Sequence, residues 1–133
     1  MKFPLLLCIA ILAGGCNVSN SIAQTGIDKI EFGTAGGFTG ATIAYTLGKE
    51  GQLSKNEKNG AVALKKLQGT QLRNIFTQAS ELKSYSYNVP DNVYSFVRIS
   101  TREGENYIVW SLGSDKVDKR VVALHNELMA LTK

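Results

Sequence analysis

The chain has 133 residues, 15 of them basic and 11 acidic, for a net charge of +4. That length holds one domain and hardly two. A single histidine cannot build a zinc site by itself. The charges also alternate in sign, as in Lys49-Glu50, Asp115-Lys116 and Asp118-Lys119, whereas a nucleic-acid platform needs basic clusters interleaved with aromatics.

Met1-Lys2 is a short basic start, and Phe3 to Ala13 is apolar apart from Pro4. A basic start, an apolar run of about 7–15 residues and small residues after it predict a secretory signal. The run is shorter than the about 20 apolar residues of a membrane-spanning helix. The small residues Ala13-Gly14-Gly15 lead into Cys16. This stretch resembles the lipobox of bacterial lipoproteins, with Ala13 where leucine is usual and Leu12 one step earlier. The resemblance implies removal of residues 1–15 and a diacylglycerol on Cys16. Each buried methylene adds about 0.8 kcal/mol, so two chains hold a protein on a bilayer where one binds only marginally. A second cleavage site is also open. Ser21-Ile22-Ala23 has the small residues an ordinary signal peptidase needs, and cutting there releases a soluble protein. That cut gives Cys16 no purpose, so lipidation is the expectation. Cys8 lies in the apolar run and leaves with it, so the folded part has neither a disulfide framework nor a thiol nucleophile. Loss of Lys2 with residues 1–15 leaves a net charge of +3.

Residues 16–26, the acylated cysteine followed by the small polar NVSNSIAQTG, read as a flexible tether. Ten residues reach at most about 35 Å, which keeps the domain of residues 27–133 near the bilayer. In lipoproteins of the kind this leader resembles, an aspartate after the cysteine marks inner-membrane retention. Asn17-Val18-Ser19-Asn20 has none, and the expected place is the periplasmic face of the outer membrane.

Ile27 to Phe32 alternates partly and predicts a strand. Ala41 to Leu47 alternates more cleanly, with Ala41, Ile43, Tyr45 and Leu47 on one face. Gly48 to Gly51 turns the chain, and Gln52 to Lys58 predicts a polar edge strand whose lysines discourage aggregation. Val62 to Gln68 fits helix or strand equally. Thr70 is placed to cap a helix whose stripe is Leu72, Ile75, Phe76, Ala79 and Leu82. Pro90 and Asp91 set a turn. Val93–Thr101 and Asn106–Leu112 predict a hairpin. Ser114-Asp115 predicts the start of a last helix carrying Val117, Val121, Leu124, Leu128 and Leu131, with Asp115 and Asp118 in its first turn. The order predicts an α+β domain, an antiparallel sheet of about four to five strands with two helices packed on one face.

Little in this pattern carries reaction chemistry. His125 is expected at the border of the last apolar stripe, and Glu103 and Glu105 lie in a solvated hairpin with no burial to raise a pKa. Gly33, Gly36, Gly37 and Gly40 match neither dinucleotide nor P-loop spacing, and a strand follows them where those motifs need a helix. The glycines allow positive φ in a connection between strands. Phe38 in their midst then either folds inward as a plug or stands out as an anchor for a partner. Similarly, Tyr85, Tyr87, Tyr94, Tyr107 and Trp110 are expected mainly in the core and on sheet faces.

Gly36-Gly37-Phe38-Thr39-Gly40 after a first strand resembles the G-G-F-A-G motif of the emfourin family, small bacterial inhibitors of thermolysin-like metalloproteases, with Thr39 in the alanine position. The later order of helix, polar turn with Asp91 and Tyr94, hairpin and leucine-rich helix fits the same family. The resemblance implies a secreted or periplasmic protease as partner and Gly36–Gly40 as the contact. The resulting expectation is a lipid-anchored, non-catalytic envelope protein, without cofactor or nucleic-acid partner, that binds another protein through this loop. The alternative is a structural or adaptor envelope lipoprotein that inhibits nothing.

Overall fold

The computed structural model describes residues 16–133, and residues 1–15, the expected leader, lie outside them. The described chain runs α1 (Cys16–Thr25), β1 (Ile27–Gly36), β2 (Thr42–Gly48), β3 (Gln52–Glu57), β4 (Gly60–Lys66), α2 (Gly69–Ser80), β5 (Asn88–Val89), β6 (Val93–Thr101), β7 (Gly104–Ser111) and α3 (Lys119–Ala130). The seven strands form one sheet in the order β4-β3-β2-β1-β6-β7-β5. All neighbours are antiparallel except β5 and β7, which pair in parallel. The α+β class is as expected. The count is larger, with seven strands in a mixed sheet and three helices where four to five antiparallel strands and two helices were predicted.

Alternation along the strands decides the layers. Ile30 and Phe32 of β1, Val97 and Ile99 of β6, and Ile108 and Trp110 of β7 face the helices and join the main core. Leu72, Ile75, Phe76 and Ala79 of α2 and Val121, Leu124 and Leu128 of α3 close over them. The stripes read from the sequence are the stripes that pack. The opposite sheet face carries a smaller cluster of Ala44, Phe96 and Val109, shielded by Tyr94 and Tyr107. There the Arg98 guanidinium lies 4.5 Å from the Tyr107 ring centroid and reaches Glu31 at 3.4 Å.

Three local readings are corrected by backbone geometry. Residues 16–25 are a helix, not a tether. Val18 and Ile22 are four apart and so share a helical face. Ile22 is only 4% exposed in the main core, and Val18 packs against it. The last turn closes through Gly26 N–H donating to the Ala23 carbonyl, and Lys83 Nζ donates to the Thr25 carbonyl at 2.6 Å. A cation at this end also suits the helix dipole. At the other end of the chain, α3 starts later than predicted. Its N-cap is Asp118, whose side chain accepts from Arg120 N–H, while Ser114 and Asp115 lie before it in a turn. Likewise α2 begins at Gly69 after Gln68, not with Thr70 as its cap.

Candidate functional site

The sheet has two ends, and the glycine stretch forms one of them. β1 and β2 are joined there by a turn in which Gly40 N–H donates to the Gly37 carbonyl at 3.1 Å. Gly36, Gly37 and Gly40 all have positive φ, at 90°, 83° and 63°. Phe38 and Thr39 take the two central places, where φ is negative and any residue fits. Gly37 N–H donates to the Asn92 carbonyl at 2.7 Å, which ties the turn to the start of β6. Thr39 Oγ1 accepts from Ala41 N–H at 3.4 Å. The backbone is thus held on both sides of Phe38 while its ring touches little. At 110% relative exposure Phe38 is the most exposed large apolar residue described. The ring is presented outward, and the inward plug is not what forms.

Register brings other apolar side chains to the same end. Val93 pairs with Gly36 and follows the Pro90 turn, Ile43 pairs with Thr34, and Val89 pairs with Trp110. Leu112 N–H donates to the Val93 carbonyl. All four are exposed, and with Phe38 they make five of the seven exposed large hydrophobics among the described residues. Scattered exposed apolar residues are ordinary, but a gathered set marks an interaction surface. The stretch from Gly33 to Thr46 contains no charged residue, so little charge must be desolvated when this end is covered. From the sequence alone, Phe38 is visible as a candidate. Val89, Val93 and Leu112 are not, because only strand pairing brings them beside it.

His125 and the Glu103/Glu105 hairpin, weighed in the sequence for chemistry, have separate surroundings. His125 is buried at 6% exposure, deeper than the border position expected. Its Nε2 lies 3.0 Å from the Gly33 carbonyl, and Trp110 meets the ring edge-on at a centroid distance of 5.1 Å. A carbonyl only accepts, so Nε2 carries the proton and donates. Glu105 is approached by Arg98 Nε at 3.8 Å and by Ser100 Oγ at 3.3 Å. Among the described residues no group of three or more His, Cys, Asp or Glu side chains is placed to hold a metal ion. A cleft of about 1320 Å³ opens at the other end of the sheet, between α1 and the Thr101–Gly104 turn. Its rim mixes Asp28, Lys49, Arg102 and Glu103, and Asp28 and Lys49 are already paired at 3.0 Å. No described helix is long and apolar enough to cross a membrane.

Burial holds the His125 imidazole below its ordinary value, and the bond to Gly33 opposes this in part. The neutral ring is therefore the folded form. Stability is fully present above the unfolded pKa of about 6.5 and falls as pH drops below it, because the unfolded chain takes up a proton that the fold resists. The steepest slope is about 1.4 kcal/mol per pH unit. Urea midpoints measured from about pH 8 to about pH 5.5 check this. His125→Gln, which retains an N–H donor for Gly33, is expected to flatten the profile.

No protein-family model and no curated protein matches the sequence, so the lipobox and emfourin resemblances stand on the residues quoted for them.

Proposed function

We propose that this is a non-catalytic, lipid-anchored protein of a bacterial envelope that binds another protein through the Gly36–Gly40 turn, with Phe38 as the anchor. The single observation that carries the reading is a fully exposed phenylalanine on a turn hydrogen-bonded at both flanks. An aromatic held in place loses little conformational entropy on binding, and such anchors dominate interface energies. The partner assigned is a secreted or periplasmic thermolysin-like protease, on the resemblance of Gly36-Gly37-Phe38-Thr39-Gly40 to the emfourin motif. Lipidation of Cys16 is supported from the fold side by Ile22. A cut after Ala23 would remove Ile22 from the core, whereas a cut before Cys16 keeps all of α1.

The test is inhibition of a thermolysin-like enzyme by the chain from Asn17 onward. Inhibition at micromolar concentration supports the reading, and its absence removes the protease as partner. Phe38→Ala is expected to weaken binding by at least about 2 kcal/mol, roughly 30-fold. Its thermal midpoint should stay close to that of the wild type, since an exposed side chain contributes within about 0.5 kcal/mol. Unfolding of Phe38→Ala would instead place the ring in the core and end the anchor role.

A further inference from the structure

We propose that the free edge of β4 pairs with the same edge of a second copy of this chain, giving a closed antiparallel dimer. The two edges of the sheet differ. At one, β5 has two residues and is followed by Pro90, and a short strand ended by proline is poor at accepting another strand. At the other, β4 has seven residues without proline, and all of them are exposed. Gly60-Ala61-Val62-Ala63-Leu64 is uncharged. Its Val62 and Leu64, at 46% and 41% exposure, are the exposed large hydrophobics that do not belong to the Phe38 end. The register of β3 against β4 shifts between Ser54–Ala63 and Leu53–Lys65. Leu64 is the extra residue of that bulge, and with the lysines at 65 and 66 it confines the regular open ladder to Gly60–Ala63.

This segment is complementary to itself. Opposite residues of an antiparallel pair share a sheet face, so a two-fold axis relating two such strands stands normal to the sheet and passes through a residue pair. Pairing centred on Val62 puts it on that axis against its twin, with Ala61 opposite Ala63, and leaves the bulge residue Leu64 at the end of the paired stretch beside Gly60. No charge faces a like charge inside the paired stretch. Once two β4 edges are paired, only the short β5 edges remain, and growth stops at two. The contact is narrow, well under the about 1,000 Å² of a tight interface, so the dimer is weak and forms toward millimolar concentration or where the chain is crowded. The inference is independent of the Phe38 surface, which lies on other strands.

The experiment is sedimentation velocity of the full chain in density-matched nonionic detergent, from about 10 µM to on the order of 1 mM. The wild type is expected to shift from monomer to dimer. V62K and V62E, each placing like charges on the axis, are expected to stay monomeric alone and to dimerise when mixed. In parallel, amide exchange of Gly60–Leu64 in the wild type should slow with concentration while the β6 amides do not change. A wild type that remains monomeric throughout, a V62K variant that dimerises as well as the wild type, or β4 protection that appears only with an unrelated protein overturns the proposal.

Discussion

Leu124→Asp is expected to give a chain with no cooperative unfolding transition and with Trp110 emission shifted to that of a solvated indole. Leu124 has 0% exposure in the middle of α3, and its cluster neighbours are apolar. Truncating such a leucine to alanine costs about 2–5 kcal/mol. A carboxylate in the same place adds the penalty of an unpaired buried charge, several kcal/mol more. A domain of this size holds about 5–15 kcal/mol in total, and it has no disulfide in reserve among its described residues. Trp110 is the only tryptophan and stacks edge-on against His125, the residue after Leu124, so its fluorescence reports this seam directly. Leu124→Met keeps volume and polarity and is expected to lose less than about 1.5 kcal/mol. A cooperative Leu124→Asp protein with native tryptophan emission would mean that α3 does not pack as described.

What could be read from the sequence follows how each segment is stabilised. Leu47 of β2 and the stripes of α2 and α3 are buried because periodicity alone selects them, and they emerge as predicted. Ile43 lies on the same alternating face as Leu47 but is exposed, because it sits at the Phe38 end of the sheet. The segments that differ depend on distant partners. Asn17 to Gln24 is polar on average, and its helix rests on Val18 and Ile22 meeting the core under α2. Gly60–Lys66 has no clear period, and pairing with β3 makes it a strand. β5 is two residues long and exists through its parallel pairing with Val109 and Trp110. The candidate site shows the same division. Local glycine spacing exposes the turn and Phe38, but Val89, Val93 and Leu112 reach it from β5, β6 and the residue after β7. The contact of His125 with the Gly33 carbonyl, 92 positions apart in sequence, has no local signature at all.

Gly36→Ala is expected to cost roughly 3–5 kcal/mol, far more than Gly40→Ala in the same turn, although both glycines have positive φ. A Cβ at Gly36 would lie 2.0 Å from the Asn92 carbonyl oxygen and 3.1 Å from its carbon. These are backbone atoms that cannot rotate aside, and the same carbonyl accepts the Gly37 N–H at 2.7 Å. The alanine must therefore push β6 away from β1 at the end of their ladder, besides adopting φ near +90°. At Gly40 φ is +63° and nothing lies within 4 Å of the added carbon, leaving the left-handed conformation alone at about 1 kcal/mol. Urea midpoints of the two variants separate two explanations for the glycine stretch. If its purpose is only flexibility, both substitutions act alike and weakly. If Gly36 allows β1 and the Asn92 turn to close on each other, Gly36→Ala alone loses several kcal/mol. Close approach at Gly36 is also what anchors the base of the turn, so the residue that must lack a side chain fixes the backbone from which Phe38 projects.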